Sequence, residues 1–376
     1  MAIRPAILLL LVCVYGKLSA QTSCVDSSTV FLLKATSAKI SVSQSIPLSD
    51  SGILVCGFIR NETQTDTSIF ISRFDKFNNA VFNKRLVGFT GYPRKILQCV
   101  NGDILLGIAP SVITSLWSQI PYLLRIDING NIVWQRQMPP TNTAYSIYAS
   151  YGPFEMFETA DGNIYAGTTD MAETDPDQGI LSGYYHIYKM SPLGDIIWKT
   201  TLVANNEYNN HINSIKEING EVLVVTQQVN TGMIYCNSPN EKSVGLIKLN
   251  KDNGAFVSSR NYCLNFQSNQ CGGSGDNYKN SVQILNDGRI LIAGQIFICG
   301  AHPLYTIVTD HNFQNVSAYW YSYSVPYSIF LGSVHTNPFG ETMLFSRGYN
   351  NLNILYATIL PNGSIKAQRK MEFLSG

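Results

Sequence analysis

The chain has 376 residues, a formal net charge of +1, 45% hydrophobic and 11% aromatic residues, and only 14% charged side chains. That balance argues against disorder, and the absence of a basic stripe gives no support to nucleic acid or acidic lipid as electrostatic partners. Few charges combined with 21 Tyr describe an extracellular β-protein instead.

Residues 1–20 read as an export signal. Arg4 supplies the positive region, Ala6 to Val14 is an unbroken apolar run, and Leu18-Ser19-Ala20 offers a small residue before a cut ahead of Gln21. The run is short for a membrane span, and nothing later reaches the roughly 18 consecutive apolar residues that a second span needs. A retained signal anchor is the alternative. The expectation is a secreted chain whose residues 21–376 form a single domain with no span after signal removal.

Thr29 to Ile40, with Val30-Phe31-Leu32-Leu33, stands before a series of repeats and is expected to pair with the last of them as a closing strand. The repeats align on Gly52, Gly102, Gly162, Gly220, Gly288 and Gly340, spaced 50 to 68 residues apart. In each, a half-polar run such as Arg94 to Gln98 leads through a turn into a Gly-led apolar strand, as in Gly102-Asp103-Ile104-Leu105-Leu106-Gly107. After a variable loop comes a third strand, such as Tyr185 to Lys189 or Gly245 to Leu249, then a tight turn and a fourth. Asn129-Gly130, Leu193-Gly194, Asn253-Gly254 and Asn362-Gly363 supply the positive φ of those hairpin turns. The long loops are expected at Ala109 to Pro121, Thr168 to Gly183 and Tyr262 to Tyr278. Trp134 and Trp198 occupy equivalent places on fourth strands, with Phe82 and Phe256 as their counterparts, and are expected to fill the space between neighbouring sheets.

Four-stranded sheets repeated at fixed offsets predict an all-β fold: a six-bladed β-propeller of four-stranded antiparallel blades, with the N-terminal segment closing the ring. The pattern Asp-Gly-x-Ile-x-x-x-Gly, a loop, then Lys/Arg-x-Asp-x-x-Gly-x-x-x-Trp resembles the repeat of secreted bacterial-type β-propellers and, more distantly, the quinoprotein-like blade. The resemblance covers roughly Ser41 to Phe373. It departs at Lys76-Phe77-Asn78-Asn79 and near Asp310-His311-Asn312, where the turn lacks Gly, and in the sixth unit, which lacks Trp.

Seven Cys follow the signal. Cys236 and Cys299 fall in loops between second and third strands, and Cys263 and Cys271 in the link between those two units, so all four are expected on one face. Pairing Cys236 with Cys263 and Cys271 with Cys299 is preferred over a local Cys263–Cys271 bridge. Cys56 and Cys99 are expected as buried thiols on inner strands, and the partner of Cys24 is open. Asn61, Asn315 and Asn362 head glycosylation triplets.

Signs of chemistry are sparse. The five His (186, 211, 302, 311 and 335) show no metal-ligand spacing, and no Gly-x-Ser-x-Gly elbow is present. Cys271-Gly272-Gly273-Ser274-Gly275 lacks the Lys-Ser/Thr of a phosphate loop. Asp170, Glu173, Asp175 and Asp177 crowd one loop without the spacing of a Ca2+ hand. Arg94, Lys95, Glu155, Glu158, Lys216 and Glu217 sit on first strands, and Tyr319, Tyr321 and Tyr323 alternate along one strand as either a packed or a binding face. No cofactor or metal site is expected, and the sequence assigns no catalytic residues. The reading is a secreted binding or scaffold module for an extracellular protein or carbohydrate, on the loop-rich face that carries the Cys cluster. A glycan hydrolase, lyase or quinone-dependent oxidoreductase is one alternative, and a structural matrix protein another.

Overall fold

The computed structural model describes residues 8–9, 30–31, 38–61, 67–86, 88–89, 91–109, 120–139, 148–149, 155–175, 180–203, 212–226, 243–263, 277–296, 304–314, 316–321, 329–336, 341–348 and 353–372. Among these residues every regular element is a strand. They form two compact units, residues 1–139 and 140–376.

In the first unit, β1 (Leu8–Leu9) pairs with β2 (Val30–Phe31). Val30 and Phe31 were expected to extend the last sheet, and the register with Leu8 and Leu9 replaces that expectation. The first sheet is β3 (Ala38–Pro47), β4 (Ile53–Asn61), β5 (Thr67–Phe74) and β6 (Ala80–Leu86). The second is β7 (Tyr92–Gln98), β8 (Ile104–Ala109), β9 (Tyr122–Ile126) and β10 (Ile132–Gln137).

In the second unit, the third sheet holds β11 (Tyr148–Ala149), β12 (Glu155–Glu158), β13 (Ile164–Asp175), β14 (Ile180–Met190) and β15 (Ile196–Val203); both β11 and β12 pair with β13. The fourth is β16 (Ile212–Ile218), β17 (Glu221–Thr226), β18 (Ser243–Asn250) and β19 (Phe256–Cys263). The fifth is β20 (Asn277–Ile284), β21 (Ile290–Ile296), β22 (Leu304–Thr309) and β23 (Ser317–Tyr321). The sixth is β24 (Ile329–Thr336), β25 (Thr342–Gly348), β26 (Asn353–Ile359) and β27 (Ile365–Glu372), four strands drawn wholly from the C-terminal end of the chain.

Every pairing is antiparallel, and all the four-stranded sheets are up-and-down meanders. The second and third strands are buried on both faces, which is why β8 and β9 read Ile-Leu-Leu-Gly-Ile-Ala and Tyr-Leu-Leu-Arg-Ile and not as alternating strands. Fourth strands such as β10 alternate between exposed and half-buried residues. Apolar clusters join neighbouring sheets within each unit: Leu54, Cys56, Leu106 and Leu124 between the first and second, Tyr185, Ile215 and Val224 between the third and fourth. Leu246, Ile292 and Tyr305 join the fourth and fifth, and Leu291, Leu304 and Ile359 the fifth and sixth.

Turn geometry follows the Gly signals with two shifts. Ser51, not Gly52, takes the left-handed position of the first β3–β4 turn (φ 66°), as Gly102 does in the second sheet (φ 91°). In the fifth sheet Phe313 takes the left-handed place (φ 61°) that Gly130 and Gly363 hold elsewhere. The stretch from Thr168 to Gly183, expected as a loop, is mostly strand: β13 and β14 stay paired from Ile164↔Met190 as far as Asp175↔Ile180.

Candidate functional site

First strands share an irregularity invisible in composition. A β-bulge interrupts the register of β3, β7, β16 and β24 opposite the same step of the second strand: Cys56–Gly57, Gly107–Ile108, Val225–Thr226 and Phe345–Ser346. In β20 it falls two residues later, opposite Gln295–Ile296. The extra residues are Ser43, Arg94, Asn213, Gly332 and Tyr278. A bulge bends the strand and re-aims one residue, and in these five sheets it does so toward the end from which the chain runs on between strands two and three.

In the first unit this end carries a basic cluster that no carboxylate among the described residues pairs with. Lys39 on β3 lies directly opposite Arg60 on β4, a like-charge pairing that destabilises a sheet unless something else uses it. Phe58 and Arg60 continue the face of β4 whose Leu54 and Cys56 pack on the second sheet. Tyr92, the first residue of β7, meets Phe58 edge-on with ring centroids 4.7 Å apart. The Arg60 guanidinium carbon stands 5.1 Å from the Phe58 centroid and 5.4 Å from that of Tyr92, and its Nη2 donates to the Tyr92 hydroxyl. The bulged Arg94 covers Tyr92 from elsewhere, at 5.7 Å. Arg60 Nε is buried without a hydrogen-bond partner.

Three cations of other sheet positions are neutralised by carboxylates. Arg73 pairs with Asp50 at 2.6 Å, Arg125 with Asp103 at 2.9 Å, and Lys248 with Glu221 at 2.6 Å. Among the described residues no carboxylate pairs with Lys39, Arg60 or Arg94. Two rings thus clamp a planar guanidinium whose unused N–H groups are suited to an anionic oxygen.

Against solved structures, an ulvan lyase, described as a new family of polysaccharide lyase, aligns with a TM-score of 0.50 at 10% identity, over 89% of this chain and 86% of its own. The architecture is consistent with a β-propeller. Also similar are a protein of unknown function from Dyadobacter fermentans (TM-score 0.47, 11% identity, 89% of this chain and 96% of that one) and an α-L-arabinofuranosidase of Fusarium graminearum (0.46, 12%, 90% and 95%). No family model and no curated protein matches the chain. At such identities the likeness is one of fold alone.

Trp198 is buried in the seam between the third and fourth sheets, 5.9 Å from the Tyr165 ring, with its Nε1 donating to the Lys251 carbonyl at 3.1 Å. Trp134 on β10 is half-buried and pairs in register with Arg125. Phe82 holds the matching place opposite Arg73, but Phe256 does not. In the fourth sheet the residue opposite the cation Lys248 is Ser258, and Phe256 sits beyond the bulge, exposed. Sequence spacing misses this because a two-residue offset keeps Phe256 on the alternation expected of a fourth strand.

Cys56 and Cys99 are buried, and burial pushes the Cys56 thiol up to about 12. Cys56 lies on β4, whereas Cys99 closes the β7–β8 turn, where its carbonyl accepts from the Gly102 N–H. Cys263 ends β19, while Cys24, Cys236, Cys271 and Cys299 lie outside the described residues, as do Asn315 and Gly340. Asn61 ends β4, and Asn362 is exposed in the β26–β27 turn, its Oδ1 accepting from Ser364.

The first-strand acids do not form an open pair. Glu155 and Glu158 lie on β12 and Lys216 and Glu217 on β16, with Lys216 Nζ 5.2 Å from the Phe157 ring centre and Glu217 accepting from the Tyr165 hydroxyl at 3.4 Å. Tyr165 is fully buried, and desolvation ahead of the Glu217 charge drives its hydroxyl pKa upward. This contact therefore belongs to the sheet seam and not to a reactive surface. His186 is likewise buried, its Nδ1 3.0 Å from Thr201 Oγ1. Asp170, Glu173 and Asp175 stand on strand β13 and not in a loop, with Asp177 outside the described residues. Among the described residues no cluster of three or more His, Cys, Asp or Glu is placed to hold a metal. Tyr319 is half-buried on β23; Tyr321 ends that strand, and Tyr323 lies outside the described residues.

Proposed function

We propose that the chain is a secreted, six-bladed β-propeller that binds an extracellular carbohydrate through the ends of its blades that carry the long loops between second and third strands. One observation carries this reading: cations without carboxylate partners among the described residues, packed on Phe58 and Tyr92, at that end of the first two sheets. Aromatic rings offer flat apolar area to sugar faces at small entropic cost, and clamped guanidinium groups fix orientation through hydrogen bonds. The recurrent first-strand bulges add a means of aiming side chains from several blades toward one ligand.

A second reading is a glycan-cleaving enzyme. It draws on the ulvan lyase, which shows that a fold of this kind accommodates polysaccharide chemistry. The test is a panel of neutral and acidic polysaccharides presented to the purified mature chain beside cell-surface protein extracts. Retention on a polysaccharide without change in its chain length supports binding. New reducing ends, or an unsaturated sugar absorbing in the ultraviolet, would convert the assignment to hydrolase or lyase. Retention by proteins alone would overturn both.

A further inference from the structure

Resting on the carbohydrate reading, we infer that Arg60, assisted by Arg94 and Lys39, seats an acidic group of the glycan, a carboxylate or a sulfate ester. The cluster brings three positive side chains from three strands of two sheets to one place. Lys39 and Arg60 face each other across the β3–β4 ladder, and Arg94 is brought in by the bulge between Pro93 and Lys95. A sheet gains nothing from opposing like charges, whereas Arg73 and Arg125 sit on the carboxylates of Asp50 and Asp103. Here no carboxylate among the described residues supplies the counter-charge. Phe58 and Tyr92 hold the Arg60 guanidinium, and the Tyr92 hydroxyl takes one of its N–H groups.

Arg60 Nε has lost water without gaining an acceptor, a cost that an anionic oxygen would offset. Carboxylates and sulfates both match the guanidinium fork, so the two sources of one chemistry are tested side by side. Arg94 and Lys39 are exposed and add long-range attraction, which salt screens.

The experiment measures retention of the mature chain on a polyuronate, a sulfated galactan and an uncharged glucan, with polyglutamate and polyphosphate as non-sugar anions. The expected result is tighter binding to one or both acidic polysaccharides than to the glucan, weakening as salt rises. Arg60→Gln should weaken it about tenfold, as loss of one charge-assisted hydrogen bond implies, and Arg94→Gln by less, an effect that shrinks as salt rises. Arg60→Lys should recover only part, and Arg289→Gln, on an exposed turn paired with Asp287, should leave it unchanged. Should Arg60→Gln fail to fold, the exposed Arg94→Gln and Lys39→Gln carry the test.

Equal retention of the glucan, or acidic-glycan binding unmoved in these variants, overturns the inference and leaves the carbohydrate reading standing. Binding of polyglutamate or polyphosphate with no polysaccharide retained overturns the carbohydrate reading, and this assignment with it.

Discussion

Two seams in the second unit solve one packing problem in opposite ways. Between the third and fourth sheets the bulk comes from the strand: Trp198 fills the space, and the facing turn offers Gly254, whose absent Cβ would lie 2.6 Å from the indole. Between the fourth and fifth sheets the strand offers Ser258, and the bulk comes from the turn, where Phe313 is buried in the core. Phe313 accepts a left-handed φ of 61° to do so, a conformation unfavourable for any residue with a Cβ. The main-chain connection is nevertheless kept. Thr200 Oγ1 donates to the Gly254 carbonyl at 2.6 Å, and Arg260 Nη1 donates to that of Phe313 at 2.6 Å, joined by the Tyr262 hydroxyl at 3.1 Å. Each seam takes one large ring, and which side supplies it is free.

The largest break in this comparison should come from Trp198→Ala, with a loss of about 3–5 kcal/mol in unfolding free energy by denaturant titration. Ser258→Ala should stay within about 0.5 kcal/mol. Next in size, Ser258→Trp should overpack its seam by about 1–3 kcal/mol. Combining it with Phe313→Gly should restore more than 1 kcal/mol of that loss, a coupling that a double-mutant cycle reads directly. Independent effects that simply add would refute the exchange. Smaller again, Phe313→Gly should be no more destabilising than Phe313→Ala, against the usual order, because glycine sheds a left-handed penalty of about 1 kcal/mol.

A gentler contrast in pH separates turns of the first two sheets from those of the third and fourth. In the first unit the turns between third and fourth strands rest on carboxylates. The side-chain amide and backbone N–H of Asn79, with the N–H of Phe77, hold the Asp75 pKa below its ordinary value. For Asp127 the leading cause is the Asn131 N–H, joined by the Asn131 amide and the Asn129 N–H. In the third and fourth sheets Ser191 and Asn250, which do not titrate, take that place. A carboxyl whose folded pKa is depressed stabilises fully above its unfolded value and loses that contribution as pH falls through the folded one. The first unit should therefore weaken below about pH 4, with Asp127→Asn flattening that dependence, while amide exchange in the fourth sheet changes less.

Much of the strand order could be read from the chain. Turns such as Asn129-Gly130 and Leu193-Gly194 announce their φ, and buried runs such as Ile104-Leu105-Leu106 announce a second strand. What escaped depends on register or on neighbours. The β13–β14 ladder continues through Thr168 to Asp175 on backbone hydrogen bonds, which polar side chains do not advertise. The partnership of Lys39 with Arg60 exists only because of the extra residue at Ser43, and a one-residue slip is silent in composition. Of the cluster, only Arg94 stood out in the linear order, because Phe58 and Tyr92 belong to different sheets. Phe313 looked like a turn lacking glycine, since its compensation, Ser258, lies 55 positions away.

Repeats descended from a common pattern run a hazard during folding, since each can dock on the wrong sibling. The alternation of ring donors counters it. A fourth sheet presenting Ser258 to a glycine turn would leave a hole, and a third sheet presenting Trp198 to Phe313 would collide. Matching bulk with vacancy thus works like a keyed joint, writing the order of the segments into their edges.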